Sequence, residues 1–323
     1  MKKKILTTAV FAVALLAPLL TACADPGTGA QSASSGAPEI TANPVSEAEK
    51  AAPLRSKLNQ QAHDLLPAAI KERGTLVVGN APFTAPLSFY AEGNKNIVGS
   101  DPALAQLLAD ALGLKLDLQA TSWANWPLGV RSGKYDAVIS NVTVTEERKE
   151  LFDFSTYRND TLGFYARSDS KLGEIKGAAD VAGKKIIVGS GTNQEKILLS
   201  WDAQNKAKGL APIEFQYYDD DSASELALQS GRADLTFGPN ATGAYKAAVA
   251  GKTKLLGLVP GGWPLSAEIA VTSKKGSGLV EATTAAINGL IKDGSYQKVL
   301  ERWGLSSEAI SASRTNPPGL PKS

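Results

Sequence analysis

Asn141-Val-Thr-Val-Thr-Glu-Glu-Arg-Lys-Glu-Leu-Phe-Asp-Phe-Ser155 follows a strand-like run, Asp136-Ala-Val-Ile-Ser140. Amide and hydroxyl groups therefore collect where a strand ends. Arg148 follows Thr143 closely enough for its guanidinium to reach the same point. A planar guanidinium beside a hydroxyl suits a carboxylate, because two parallel N–H donors match its two oxygens. The same residues also read as a capping turn, with Thr145 as N-cap, Glu146 and Glu147 in the first turn and Arg148 solvated.

The segments upstream set this motif in an α/β frame. Gly74-Thr-Leu-Val-Val-Gly79 predicts a strand, and Asn80-Ala-Pro-Phe-Thr-Ala-Pro86 a loop after it. Asp101 and Pro102 read as the N-cap and first position of a helix that carries Leu104, Leu107, Leu108, Ala111 and Leu112, with Gly113 as its stop. Leu114 to Leu118 returns as a strand. This is a βαβ-type unit, which implies a mostly parallel sheet with helices on its faces. Such sheets place ligands at the carboxyl ends of their strands, so the loop after Gly79 and the motif after Ser140 can face one crevice. A second α/β set follows from Lys185. Ser190-Gly-Thr-Asn-Gln194 is the polar loop between its first strand and helix, and the Asp219–Asp221 run is a solvated N-cap ahead of the helix from Ser222 to Gln229. Tyr296 to Trp303 closes the fold, and the last twenty residues are expected on the surface.

Composition narrows the function. The chain has 323 residues, 43% of them apolar and 20% charged, with a formal net charge of +2. Two domains fit this length. The near-neutral balance argues against a nucleic-acid partner. One Cys and one His exclude an intramolecular disulfide and most multi-ligand zinc sites, so no metal or cofactor is expected. His63 is expected to be solvated. Without a His or Cys in the globular part, the commonest acid–base and thiol chemistry is missing, and no catalytic residue is assigned.

Lys2-Lys3-Lys4 followed by the apolar run Ile5–Leu20 reads as an export signal, too short for a confident membrane span. It ends in Leu20-Thr21-Ala22-Cys23, which resembles a bacterial lipobox. By that resemblance residues 1–22 are removed and Cys23 is acylated, and two chains hold a protein stably at a membrane. Residues 24–60, rich in Ala, Ser, Gly and Pro, read as a flexible tether, and 61–73 as a short helix leading into the fold.

Taken in order, these motifs resemble the extracellular solute-binding proteins of polar amino acid ABC importers. The resemblance runs from Gly74 to Gly304 and is carried by Gly74-Thr-Leu-Val-Val-Gly79, Gly99-Ser-Asp101, Trp123, Ser132-Gly-Lys-Tyr-Asp136 and Thr143-Val-Thr-Glu-Glu-Arg148. Asp153-Phe-Ser155, Ser190-Gly-Thr192, Gly231-Arg-Ala-Asp234 and Gly294-Ser-Tyr296 with Trp303-Gly304 continue it. It implies a two-lobed type II periplasmic-binding-protein fold with the ligand between the lobes. Lobe 1 would be residues 74–165 plus 267–305 and lobe 2 residues 166–266. The crossovers would fall near Leu162–Ser168 and Leu265–Ile269, and residues 306–323 would be a tail.

By the same resemblance Arg148 and Thr143 bind a carboxylate, and Asn141 offers its backbone carbonyl to an amine. Trp123 and Phe83 form walls, and Gly191, Thr192, Asn193 and Gln194 clamp from lobe 2. The usual amine-binding Asp positions hold Ala81 and Pro239, with Asn240 beside the latter. Burying an uncompensated ammonium is costly. The expected ligand is therefore either an organic acid or amide, or an amino acid held through neutral oxygens of Asn141 and Asn240. The implied protein is a monomer tethered to the outer face of the bacterial cell membrane, serving an ABC permease and its ATPase. A solute sensor and a dehydratase-like enzyme are the alternatives of the same fold.

Overall fold

A computed structural model describes residues 53–83, 85–91 and 96–322. The expected signal peptide, Cys23 and the tether up to residue 52 lie outside the described residues.

The first lobe opens on two short helices, α1 (Gln60–Asp64) and α2 (Ala68–Arg73). Gly74, at φ +66°, ends α2 in the left-handed conformation and turns the chain into strand β1 (Thr75–Asn80). After the small hairpin β2 (Phe89–Tyr90) and β3 (Ile97–Val98), helix α3 (Ser100–Ala111) crosses to β4 (Lys115–Ala120). β4 pairs parallel with β1 from Thr75–Lys115 to Asn80–Ala120. Leu104, Leu107, Leu108 and Ala111 are buried on the core side of α3, as their spacing predicts. Helix α4 (Trp126–Arg131) leads to β5 (Ala137–Val138), on the other side of β1.

Strand β6 (Phe152–Arg167) joins the lobes. Its first part pairs antiparallel with β11 (Ala267–Lys274), from Phe152–Lys274 to Asp160–Ala267. From Thr161 onward it pairs instead with β10 (Thr253–Pro260), and from Leu162 with β9 (Leu235–Pro239). The second lobe adds β7 (Lys185–Ile187) and β8 (Glu214–Gln216), parallel to each other and to β9. Helices α5 (Asn193–Ala207), α6 (Asp221–Gln229) and α7 (Asn240–Ala250) belong to it, whereas α8 (Leu279–Lys292) and α9 (Ser295–Arg302) return to the first lobe. The sheet order is β4-β1-β5-β11-β6-β9-β7-β8, with β10 also on β6. Each lobe keeps its own core; that of the second is a ring stack of Phe237 on Phe164 and Phe164 on Trp201. No helix among the described residues is long and apolar enough to cross a membrane.

Five expectations need correction. The first crossover comes earlier than Leu162–Ser168: Leu162, Phe164 and Ala166 already belong to the second core. The tether ends by residue 53, because Arg55 pairs with Asp110 at 2.6 Å, Ser56 Oγ donates to the Leu107 carbonyl, and Ala62, Leu66 and Ile70 are buried. His63 is half-buried, with Nδ1 2.8 Å from the Leu112 carbonyl oxygen. Asp101 is not an N-cap. The helix begins two residues earlier, after Gly99, and Asp101 is 1% exposed inside its first turn.

The C-terminal tail departs most from expectation. Glu308, Ile310, Ser313 and Leu320 are buried, and the segment lies along lobe 1 as a strap. Thr315 bridges to Ser155 and Leu320 to Thr145, Asn316 Nδ2 donates to Asp153 at 3.0 Å, and the Gly319 N–H donates to Glu146 at 2.7 Å. These anchors are isolated side chains and backbone hydrogen bonds with no apolar period, so no sequence pattern announces them.

Candidate functional site

The strands converge on the site by their carboxyl ends. β5 delivers Ile139 to Thr143, β7 delivers Val188 to Asn193, and β9 ends directly before Asn240. Asn141 takes φ +52°, a left-handed conformation that Asn tolerates better than most side chains, and turns the motif out of the strand. Thr145 Oγ1 accepts the Arg148 N–H at 3.1 Å and starts the 3₁₀ turn Arg148–Glu150. The capping bond expected of Thr145 is present, but Arg148 is half-buried rather than solvated.

Arg148 reaches across the cleft. Its Nη1 donates to the Thr143 carbonyl at 2.9 Å and Nη2 to the Gly191 carbonyl of lobe 2 at 3.5 Å. The guanidinium lies 5.5 Å from the ring centre of Trp123 and 6.0 Å from that of Trp126, a cation–π arrangement. Burial lowers its pKa to about 10, against the pull of Glu147 and Asp160. Among the described residues no carboxylate lies within ion-pair distance of Arg148. Arg148 is thus a half-buried cation with two carbonyl contacts and, among the described residues, no carboxylate partner.

The remaining expected residues separate into those at the cleft and those turned to their own framework. Trp123, half-buried, packs edge-on against Trp126 and lies close to Gly191. Thr143 is buried, and its hydroxyl donates to Asp160 Oδ2 at 3.0 Å. In lobe 2, Thr192 caps α5 by accepting the Glu195 N–H, and Gln194 is half-buried in the first turn. The Gly191 N–H donates to Glu195 Oε2 at 2.7 Å, so that member of the expected clamp is held by its own helix. The Asn193 amide donates to the Gly261 carbonyl. Asn240 is buried and its Oδ1 accepts the Tyr165 hydroxyl at 2.7 Å. The Asn141 side chain accepts from Arg158 rather than facing outward. Phe83 stays 54% exposed, which is a poor fit to a wall. Lys196 and Glu147 pair across the cleft at its rim.

Sequence reasoning missed a buried charged cluster behind the site. Arg158, 1% exposed, pairs with Glu308 of the strap. Asp101 accepts the Tyr157 hydroxyl at 2.9 Å, and Asp160 is 5% exposed. The available signal was Arg158-Asn159-Asp160, an unbroken run of strongly polar residues in the middle of a sixteen-residue strand. Burial pushes the Asp101 carboxyl up to about 6, opposed by Arg158, the Tyr157 hydroxyl and the Asn141 N–H. Burial raises Asp160 and Glu308 in the same direction, with Arg158 opposing it. A carboxyl that binds its proton more tightly when folded contributes stability that is present below the unfolded pKa, about 4, and is lost as pH rises through about 6. The difference in unfolding free energy between wild type and Asp101→Asn is therefore expected to fall between pH 4 and 6, by up to about 3 kcal/mol. Urea titrations across that range check it; a flat difference would show that Asp101 titrates normally.

Comparisons with known proteins agree with this architecture. A family model described as bacterial extracellular solute-binding proteins, family 3, matches residues 76–306. The chain is 34% identical over 236 residues to the L-cystine-binding protein TcyJ of Escherichia coli K12, covering 72% of this chain and 84% of that one. It is 28% identical over 251 residues to the L-cystine-binding protein TcyA of Bacillus subtilis, covering 77% and 88%. Among solved structures it is similar to an amino acid ABC transporter substrate-binding protein, AbpA, of Streptococcus pneumoniae bound to L-arginine. There the TM-score is 0.62 and the identity 28%, covering 76% of this chain and all of the other.

Proposed function

Because the chain belongs to the bacterial extracellular solute-binding proteins of family 3, we propose that it captures an amino acid or related small carboxylate between its lobes and delivers it to an ABC permease. The observation that carries this reading is Arg148: a half-buried guanidinium beside two indoles, touching both lobes, with no carboxylate among the described residues within ion-pair distance. A ligand carboxylate supplies that anion and bridges the lobes, which favours the closed form over the open one. Relatives named for binding cystine and arginine support the ligand class. They are binding proteins, and this chain is likewise a binding protein and not an enzyme.

Thermal-shift and calorimetric titration with L-cystine, L-arginine and L-glutamine, each beside its deaminated acid, tests the reading. Failure of every carboxylate to stabilise the protein would remove it. The lipid anchor is part of the same proposal and rests on Leu20-Thr21-Ala22-Cys23. A clickable palmitate analogue fed to expressing cells is expected to label wild type and not Cys23→Ser. Equal labelling of both would refute acylation at this cysteine.

A further inference from the structure

The last described residues of the strap add a short edge to the turn that carries Arg148. Thr145 and Leu320 form a parallel bridge. The Leu320 N–H donates to the Val144 carbonyl at 3.0 Å, and the Glu146 N–H donates to the Leu320 carbonyl at 2.8 Å. The Gly319 N–H donates to Glu146 Oε1 at 2.7 Å, and this bond, ahead of Lys149, holds the Glu146 carboxylate below its usual range. Lys322 pairs with Glu150 at the far end of the 3₁₀ turn. On its other edge the same segment is held by β11, through the Thr143–Ile269 bridge and the Val144 N–H to the Glu268 carbonyl at 3.0 Å. The turn is gripped between a strand of its own lobe and the strap.

Two short steps connect the strap to the guanidinium. Leu320 fixes the backbone of Thr145, and Thr145 Oγ1 accepts the Arg148 N–H at 3.1 Å. The approach is close: a Cβ on Gly319 would lie 2.7 Å from the Thr145 carbonyl carbon. Leu320, 8% exposed, also packs on the turn between β10 and β11, where a Cβ on Gly262 would overlap its side chain. The neighbouring Gly261 carbonyl accepts the Asn193 amide of lobe 2, so the strap touches the Arg148 turn and the second crossover at once. We propose that the strap end, Gly319–Lys322, is a positioning element for Arg148, and that it contributes to ligand affinity as well as to stability. This rests on the reading of Arg148 as the carboxylate receiver. A fork oriented before ligand arrives loses less freedom on binding, and paired donors are sensitive to misalignment. The family match ends at residue 306, so the strap end lies beyond the region that the family model describes.

The test is calorimetry with whichever of L-cystine, L-arginine and L-glutamine wild type binds most tightly. It compares wild type, a chain stopped after Pro318, and Gly319→Ala, each beside its urea midpoint. The stop keeps Glu308, Ile310, Ser313 and the Asn316 bond to Asp153, and Gly319→Ala keeps the whole strap while pushing it off the turn. Removing residues 319–323 is expected to weaken binding by the folded protein about ten-fold, and Gly319→Ala to weaken it by about three-fold or more. The same stop in an Arg148→Lys background is expected to cost no more than about two-fold, because an ammonium on a flexible stem has no fork to align. A strap that only stabilises would lower the urea midpoint and leave the affinity of the folded protein unchanged. That result in both variants would overturn the proposal, and so would equal losses in the wild-type and Arg148→Lys backgrounds. Failure of the underlying carboxylate reading has a different signature, namely Arg148→Ala binding as wild type does.

Discussion

Arg148→Ala is expected to weaken binding of any carboxylate ligand by about 10²–10⁴-fold, the equivalent of about 3–5 kcal/mol for removing one partner of a buried charge pair. Three features put the effect at the high end for a single side chain. Trp123 and Trp126 lie beside the guanidinium and cover part of it, so a ligand carboxylate left without it is only partly solvated. Arg148 also touches Gly191 of the opposite lobe, so the variant loses a closing contact along with the charge. Its Nη1 is fixed by the Thr143 carbonyl, so the fork is oriented before ligand arrives. Arg148→Lys separates charge from geometry, because an ammonium keeps the charge and loses the paired donors. It is expected to fall between wild type and Ala. Calorimetry with L-arginine and L-cystine measures the series, and wild-type affinity in Arg148→Ala would end the assignment.

Glu308→Ala is expected to lower the unfolding free energy by about 3–5 kcal/mol, although Glu308 lies far along the chain from any core pattern. The carboxylate is 3% exposed and pairs with Arg158, which is 1% exposed. Removing it leaves a guanidinium in the interior with one amide oxygen, Asn141 Oδ1, as its side-chain partner. The double variant Arg158→Met/Glu308→Leu removes both charges and is expected to recover most of the loss, because an apolar pair of similar volume carries no desolvation cost. Urea unfolding monitored by tryptophan fluorescence distinguishes the three proteins. A Glu308→Ala midpoint equal to wild type would mean that the strap is not part of the cooperative fold.

The elements were legible in sequence to different depths. Helix α3 shows its buried face in Leu104, Leu107 and Leu108, and the cap at Asp220 ahead of α6 is readable from the Asp219–Asp221 run, where Asp220 accepts the Ala223 N–H at 2.8 Å. The partner change in β6 is not readable. Phe154, Leu162, Phe164 and Ala166 are all buried and apolar, and nothing local states which core each one joins. Asp101 shows the same limit from the polar side. Next to Pro102 it has the composition of an N-cap, yet Tyr157, distant in sequence, claims it as an interior acceptor.

What the sequence determined by itself was whatever its local chemistry repeats or punctuates: two α/β sets, the turn that carries Arg148, and the family. Periodic apolar burial and capping act over a few residues, so they can be read in order along the chain. Only the tertiary structure decided which charges are left over. Whether Arg158 has a counter-ion depends on Glu308 arriving from the strap, and whether Arg148 meets the second lobe depends on Gly191 being brought to it. Charge matching in an interior is settled by distances among residues from distant parts of the chain, and no window of sequence contains them.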